Sequence, residues 1–337
     1  MPTLNPVSSA ELTAAVKKLG HARVLVVGDA MLDRYIFGRI TRISPEAPVP
    51  VMVVEKELAE PGGAGNVVHN LIGLGAACAF VSVIGDDRAG TELTGLIGGQ
   101  SGVEPWLLVQ GGRQTTVKTR FVAESARRGG QHLLRADRED TRPIHPKLAE
   151  RLLRVTNGAI AATSVLVLSD YRKGVLAGDI PAQLIATAQA AGRRVVIDLR
   201  SDDWARFAGA DVLVPHAHNL LGEDIVGTDA QIAEAGQALR RTYGFGALLI
   251  KRGAEGLSFV DADGCMHMRL ATDETRDLAG AGDAAVAALA ACLATGVTPR
   301  VAAAVARAAC GLVGSGIGSG IVRAKELLAM VSTKIPE

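Results

Sequence analysis

The sequence predicts an α/β fold in which helices cover both faces of a doubly wound, mainly parallel sheet. Short apolar runs without polar alternation recur along the chain, which is typical of strands buried on both faces. These runs alternate with segments of helical periodicity. No low-complexity linker divides the chain. We therefore expect a single domain over residues 1–337, with a small β lid formed by insertions near residues 35–56 and 113–137.

The first predicted elements lie in the N-terminal third. A capping-box pattern, in which Glu11 follows Ser8 by three residues, predicts a short helix that ends at Gly20. An apolar run then predicts a buried strand, and a proline-rich segment precedes a second extended stretch. The elements predicted up to residue 97 are strands at residues 23–29, 49–55 and 78–84, and helices at residues 66–75 and 88–97.

The sequence pattern changes between residues 104 and 137, where glycine-rich turns at 111–112 and 129–130 separate short extended stretches. The strands predicted there are residues 107–109, 115–123 and 132–135. Strand–helix alternation then resumes. The later strands are predicted at residues 165–168, 194–197, 212–214, 247–250, 256–260 and 266–270, the last two as an antiparallel pair. The later helices are predicted at residues 147–160, 180–191, 229–243, 282–293, 299–313 and 323–331.

Charge and cysteine usage exclude several classes of protein. Lys and Arg number 36 against 35 Asp and Glu, so no overall field attracts nucleic acid or a membrane surface. The longest uncharged stretches, residues 284–299 and 308–322, are shorter than the ~20 apolar residues of a membrane helix. The N-terminus lacks the pattern of a signal peptide. The four cysteines form no C-x-x-C pair, so we expect a protein of the reducing cytoplasm.

Glycine is unusually frequent, with 39 of 337 residues, and its clusters mark the candidate sites. Residues 277–283 read DLAGAGD and directly precede an apolar helix. The N–H groups of Gly280, Ala281 and Gly282 can converge on a negative charge, which the helix dipole also favours. Asp283 can accept a proton from an attacking hydroxyl group. The alternative, a simple aspartate cap of the helix, stays open.

Two further groups of residues are candidates for binding a polyhydroxylated ligand. Gly62 and Gly63 allow the backbone to approach a ligand, and Asn66 can bond to hydroxyl groups. Asp29 and Asp33 lie at the end of the first strand, where ligands of open α/β sheets bind. The alternatives are an ordinary strand–helix turn for the glycines, and a cap plus a solvated carboxylate for the aspartates.

Two other patterns are not interpreted as a dinucleotide-binding loop or as a metal site. The glycine-rich residues 314–320 do not match the dinucleotide fingerprint G-x-G-x-x-G, and no G-x-x-x-x-G-K-[ST] loop exists. His216 and His218 lack a third ligand at convincing spacing, which favours loop histidines over a metal site.

Several motifs together resemble those of a known family, the ribokinase-like (PfkB) carbohydrate kinases, over about residues 23–322. Within it, the likeness is strongest to the heptose-7-phosphate kinases of lipopolysaccharide core synthesis. The nine-residue stretch RISPEAPVP at 42–50 is the most specific element. The other motifs are VGDAMLDRY at 27–35, PGGAGN at 61–66, TTVKTR at 115–120, SDYRKG at 169–174 and GAGD at 280–283.

The resemblance implies a Rossmann-like, ribokinase-like domain that uses ATP and Mg²⁺ to phosphorylate a sugar hydroxyl, and a homodimer formed through the lid. Help from a monovalent cation is left open. Asp283 would be the base, and Gly280, Ala281 and Gly282 would form the anion hole. The sugar or its phosphate would contact Asp29, Asp33, Arg42, Gly62, Gly63, Asn66, Lys118, Arg120 and Asp170. The nucleotide would contact Lys251, Gly253, Gly256, Gly280, Gly282, Gly314 and Gly316.

The chain departs from the family pattern on the nucleotide side. The family's Asn-x-x-Glu is here a stretch from His216 to Asn219, and the family's Asp-Pro-Lys ends in Arg200. Two family threonines are replaced by Ala279 and Lys251. These departures support a second hypothesis, a kinase-fold protein that binds a sugar phosphate and has lost efficient catalysis. A kinase for a different sugar is a further alternative, and the missing dinucleotide fingerprint disfavours a dehydrogenase.

Overall fold

The computed structural model describes residues 2, 4, 6–123, 130–222, 227–270, 280–313 and 320–333. The strands in these ranges are β1 (Arg23–Gly28), β2 (Ala30–Ile43), β3 (Pro50–Gly63), β4 (Ala77–Gly85), β5 (Val103–Gln110), β6 (Val117–Ala123), β7 (Gln131–Arg138), β8 (Val165–Asp170), β9 (Arg194–Leu199), β10 (Val212–Val214), β11 (Ala247–Lys251), β12 (Leu257–Val260) and β13 (Cys265–Met268). The helices are α1 (Ser9–Val16), α2 (Ala64–Gly73), α3 (Arg88–Gly98), α4 (Pro146–Ile160), α5 (Ile180–Ala190), α6 (Ala217–Leu221), α7 (Asp229–Tyr243), α8 (Ala281–Ala294), α9 (Pro299–Leu312) and α10 (Ala324–Ser332).

The main sheet contains nine strands in the order β13-β12-β11-β10-β9-β8-β1-β4-β5. From β11 to β5 every neighbouring pair is parallel, whereas β12 and β13 are antiparallel. The prediction of a doubly wound, mainly parallel α/β fold is confirmed. So is the antiparallel pair near residues 256–270.

Helices pack on both faces of this sheet because alternate side chains of each strand enter different cores. In β1, Val24 and Val26 belong to one core, and Leu25 and Val27 belong to the other. The first core is completed by α1, α2, α3, α8, α9 and α10, and the second by α4, α5 and α7. Helix α8 is rich in alanine and almost wholly buried, so it lies close to its neighbours and its N-terminus is held firmly.

A second sheet of four strands, in the order β3-β2-β6-β7, projects from the main sheet. Of the predicted insertion at residues 35–56, residues 35–43 lie in β2 and residues 50–56 lie in β3, and the two strands extend beyond it to Ala30 and Gly63. Strand β2 was not predicted. It starts one residue after β1 ends, and its partly exposed half alternates less regularly than a half-buried strand should.

Strand β5 corrects another expectation. It pairs in parallel with β4 at the edge of the main sheet, so the turn at Gly111 and Gly112 does not belong to the lid. The sequence obscured this because β5 leaves much of its length exposed and resembles a lid strand in composition. Within the described ranges, no helix has both the length and the apolar character needed to cross a membrane.

Candidate active site

The candidate site lies at the carboxyl ends of the central strands, where the crevices of open α/β sheets bind ligands. Asp198 lies in β9 and Lys251 ends β11. Tyr171 follows β8, and Asp283 lies in the first turn of α8. Parallel strands place these residues at one edge although they are far apart in sequence.

Asp283 is 6% exposed and accepts three hydrogen bonds. Its Oδ2 accepts from the Asn66 amide at 2.8 Å. Its Oδ1 accepts from the Tyr171 hydroxyl at 2.6 Å and from Arg200 Nη2 at 2.9 Å. A carboxylate oxygen has about two acceptor positions. Among the described residues, Oδ1 is therefore saturated, and Oδ2 keeps one position for a ligand hydroxyl group.

The protonation equilibrium of Asp283 suits a base. Burial raises the pKa of this carboxyl above its usual range, although the positive charge of Arg200 opposes the shift. A carboxylate of raised pKa takes up a proton more readily than one in water. The sequence-predicted proton acceptor is thus a buried group with one open lone pair, rather than an ordinary helix cap.

The glycines before Asp283 meet strict steric demands. Gly280 caps α8 with φ +81°, a conformation that side chains disfavour. A Cβ at Gly282 would lie 3.2 Å from Lys251 Cδ and 3.8 Å from Arg200 Nη2. The first N–H groups of a helix have no intrahelical partner. The start of α8 therefore offers amide donors beside two cationic side chains.

Arg200 connects several of these groups. Its Nη2 also donates to the Tyr171 hydroxyl at 2.7 Å, and its guanidinium lies 4.6 Å from the centre of that ring. Its Nη1 lies 2.6 Å from His216 Nε2. Burial, with the nearby charges of Lys251 and Arg200, lowers the pKa of His216 to about 2. His216 is therefore neutral, and its Nε2 accepts the Arg200 proton.

Lys251 and Asp198 form a buried ion pair. Lys251 Nζ donates to Asp198 Oδ1 at 2.7 Å, and the two residues are 5% and 0% exposed. Ser169 donates to the other oxygen at 3.2 Å. Burial alone would raise the pKa of Asp198, but the charges of Lys251 and Arg200 outweigh it and lower the pKa to about 2.

The next group of predicted residues lies where the second sheet meets the main one. Asp33 of β2 is 7% exposed, and its Oδ1 accepts from Arg120 Nη1 at 2.7 Å. Burial raises the pKa of Asp33, and the negative charge of Asp283 contributes to that rise. A Cβ at Gly62 would collide with Asp33 Oδ2, and Gly63 has φ +58°. Gly62 thus leaves room for this carboxylate, whereas a Cβ at Gly63 would meet the Asp29 carbonyl and the Met31 side chain.

Two predicted sugar contacts are explained differently by the structure. Asp29 is buried, and its carboxylate accepts the backbone N–H groups of Tyr171, Lys173 and Val175 at 2.9–3.1 Å. It shapes the loop after β8, which leaves it little capacity to hold a ligand. Asp170 accepts the N–H of Arg172 and lines a cavity of about 630 Å³ that also borders Tyr171.

The predicted cations of the lid are separated in space. Lys118 of β6 pairs with Asp137 and Glu139, both at 2.9 Å, and it lies level with Asp33 in the strand register. Arg42 is exposed at the far end of β2. Nine residues of extended chain separate it from Asp33, or about 30 Å. The structure does not bring Arg42 next to Asp33 within one chain, and its contact with the sugar stays a prediction.

The glycines predicted for the nucleotide side shape a turn. Gly253 and Gly256 have φ +60° and +96° in the short 3₁₀ turn that follows β11. A Cβ at Gly256 would strike the Met268 backbone, so this glycine also permits close strand pairing. Gly314 and Gly316, together with Ala279, lie outside the described residues.

Sequence reasoning did not assign Tyr171 or Asp198 to the site, and it noted Arg200 only as a departure from the family. Charged or phenolic residues at the ends of apolar strands are the feature that could have identified them. Their mutual contacts could not have been inferred. Arg200 is 83 residues from Asp283, and Lys251 is 53 residues from Asp198.

The site offers Mg²⁺ few protein ligands. This ion is usually bound by one or two carboxylates together with phosphates and water. In the described part of the chain no cluster of three or more His, Cys, Asp or Glu residues has metal-binding geometry. The nearest carboxylates, Asp198 and Asp283, are each engaged by a cation. Among the described residues, the carboxylates present therefore do not form a site that would hold a divalent ion by protein ligands alone.

Comparison with known proteins identifies relatives over nearly the whole chain. The model of the "pfkB family carbohydrate kinase" matches residues 21–323. A protein of Acidiphilium cryptum named "Bifunctional protein HldE" is 51% identical over 324 residues, covering 95% of this chain and 65% of that protein. Its namesake from Paramagnetospirillum magneticum is 44% identical, covering 94% and 64%. The chain thus spans less than two thirds of the length of these relatives.

Solved structures share the fold. Phosphofructokinase-2 from Escherichia coli, in complex with substrates and products, has a TM-score of 0.75 at 17% identity, covering 92% of this chain and 98% of that one. Ribokinase from Arabidopsis thaliana, complexed with ribose and ATP, has a TM-score of 0.70 at 18% identity, with coverages of 93% and 99%.

Proposed function

The chain belongs to the pfkB family of carbohydrate kinases, and we propose that it transfers the γ-phosphoryl group of ATP to a hydroxyl group of a phosphorylated sugar. The observation that carries this proposal is the environment of the Asp283 carboxylate. Its Oδ2 has one open acceptor position, and it lies in the first turn of α8 beside the free amides and two cations. A base, an anion-binding helix start and a sugar-binding carboxylate, Asp33, are the parts that such a transfer needs.

The reaction follows from these positions. The sugar hydroxyl donates its hydrogen bond to Asp283 Oδ2, and its oxygen attacks the γ-phosphorus in line with the leaving group. The new O–P bond forms as the bond between the γ-phosphorus and the β–γ bridging oxygen breaks, and ADP leaves. Asp283 takes the proton and later returns it to water. The amides of Gly280 to Gly282 stabilise the equatorial oxygens.

We propose D-glycero-D-manno-heptose 7-phosphate as the substrate. The stretch at residues 42–50 and the relatives named HldE support this choice. The basic side chains of Arg120, Lys118 and Lys173 near the second sheet suit a substrate that carries its own phosphate. The test is ADP release with a panel of sugars. We expect this heptose phosphate to give at least ~10-fold higher kcat/KM than fructose 6-phosphate or unphosphorylated heptose, and equal values would contradict the choice.

A second function is favoured by one observation, the direct contact of Arg200 with Asp283. A base held by a cation is consistent with a protein that binds a sugar phosphate and catalyses poorly. Calorimetry distinguishes the two functions. Sugar-phosphate binding without nucleotide binding supports the second, whereas binding of both ligands with turnover supports the kinase. A cytoplasmic location and help from a monovalent cation stay predictions.

Acidification should abolish the activity, and the loss should occur at a higher pH than that at which an ordinary aspartate titrates. Asp283 must be deprotonated to accept a proton, and burial raises its pKa, so kcat/KM is lost as the pH falls through that raised value. Arg200 lowers this pKa. The Arg200→Met variant should therefore move the acid limb to higher pH. The pH profile of ADP release measures this, and the control is Lys147→Met, at an exposed site on α4. An unmoved limb would contradict the role given to Asp283.

We also propose that the second sheet forms a homodimer interface. Among the described residues, most of the large exposed apolar side chains lie on or beside it: Ile40, Ile43, Val49, Val53, Val54, Leu133 and Leu134. Exposed apolar patches of this kind mark interaction surfaces. We expect light scattering to show a dimer, Leu134→Asp to yield monomers, and Val109→Asp, on the main sheet, to leave the dimer intact. A monomeric wild-type protein would refute the interface.

A further inference from the structure

The nucleotide side of the site contains two cations in an unusual position. Lys251 and Arg200 flank the same residue, Gly282: a Cβ there would lie 3.7 Å from Lys251 Nζ and 3.8 Å from Arg200 Nη2. The amides at the start of α8 occupy the same place. Any phosphate that binds at these amides therefore meets an ammonium and a guanidinium group.

The ammonium group of Lys251 is buried in the site rather than exposed to solvent. Lys251 is 5% exposed, and its backbone N–H is bound to the Pro215 carbonyl. One of its three ammonium protons goes to Asp198, and no other acceptor among the described residues takes the remaining two. A buried cation with unused hydrogen-bond donors is strongly stabilised by an anion that binds beside it.

Arg200 supplies the second charge with a different geometry. Its guanidinium spans from Asp283 to neutral His216, and its Nε is buried without a partner in the described structure. A guanidinium presents several donors in a fixed plane and suits phosphate oxygens.

The described residues offer a divalent ion little at this position. The nearest carboxylates, Asp283 and Asp198, are paired with these same cations, and an ion beside them would lie close to both positive charges. The hydrogen-bond donors at this position thus suit phosphate oxygens and not a metal ion.

We propose that Lys251 and Arg200 bind the terminal phosphates of the nucleotide directly, so that the site takes nucleotide without a divalent cation. This inference rests on the proposed function for the identity of the nucleotide. It concerns only binding, and it assigns to two side chains the charge compensation that a metal ion would otherwise supply.

The test is calorimetric titration with β,γ-imido-ATP, first with excess EDTA and then with Mg²⁺. We expect the wild-type protein to bind the metal-free nucleotide with a Kd within about threefold of that for the magnesium complex. Lys251→Met should weaken metal-free binding at least ~10-fold, and Lys251→Arg should keep most of it. The control Lys147→Met should bind as the wild type does.

Lys251→Met leaves Asp198 as an unpaired buried charge, which endangers folding. The double variant Lys251→Met with Asp198→Asn removes both charges, and we expect it to fold and to show the same loss of metal-free binding. Metal-free binding at least ~10-fold weaker than magnesium-supported binding in the wild type would overturn the inference. So would wild-type affinity in a folded Lys251 variant.

The two proposals fail separately. ADP release that requires Mg²⁺, with no binding of metal-free nucleotide, overturns the inference and leaves the kinase function standing. Metal-free binding that depends on Lys251, without any ADP release, supports the inference and counts against the kinase function. If neither form of the nucleotide binds, both are overturned.

Discussion

Replacing Asp283 with asparagine is expected to lower kcat for ADP release by at least ~10²-fold, because the variant lacks the proton acceptor. The change keeps the size of the side chain. The amide oxygen can still accept from Asn66 or from Tyr171 and Arg200, so we expect the local fold to persist. The Kd of the sugar phosphate should change much less than kcat, since the lost interaction develops in the transition state.

The control for this variant is Asp263→Asn, an equal change at an exposed turn between β12 and β13. It should release ADP at the wild-type rate. The assay follows ADP at saturating ATP and sugar phosphate. If Asp283→Asn retains the wild-type kcat, another group is the base and the mechanism proposed above is wrong.

Replacing Asp33 with asparagine is expected to raise KM for the sugar by up to ~10²-fold. Arg120 donates a hydrogen bond to the Asp33 carboxylate, which lies against Gly62, and the charge of this carboxylate is largely buried. Hydrogen bonds to a charged group contribute about 1.5–3 kcal/mol, and every 1.4 kcal/mol is a factor of ten. We place the nucleotide beside Lys251 and the start of α8, away from Asp33, so KM for ATP should change less than threefold.

Steady-state kinetics with each substrate varied in turn measure this split. The matched control is Asp86→Asn, at an exposed position after β4, and its two KM values should equal those of the wild type. A rise in KM for ATP that matches the rise for the sugar would show that Asp33 supports the structure of the whole site rather than the sugar position.

Much of the fold was accessible from the sequence because its signals are local. Buried strands such as residues 23–28 read as continuous apolar runs, and the start of α8 is marked by glycines followed by Asp283. Strand β2 was missed because it follows β1 with no intervening turn residues. The distance between Arg42 and Asp33 was not evident because proximity in a motif does not show how far a 14-residue strand extends.

The site was predictable only in its outline. Some site residues belong to motifs whose chemistry can be inferred without knowing the rest of the fold: Asp283, Asn66 and Asp33. The ion pairs of Arg200 with Asp283 and of Lys251 with Asp198 arise when β9, β11 and α8 meet, and no local pattern encodes that meeting. For the same reason, Asp29 looked like a ligand-binding carboxylate until its three backbone donors were located.

The central claim is that this chain transfers a phosphoryl group to a sugar phosphate with Asp283 as the base. The most direct measurement incubates the protein with ATP and D-glycero-D-manno-heptose 7-phosphate and identifies the product by mass spectrometry. The account predicts a heptose bisphosphate from the wild type, formed at least ~10²-fold more slowly by Asp283→Asn. No bisphosphate from the wild type, or equal formation by the two proteins, would contradict it.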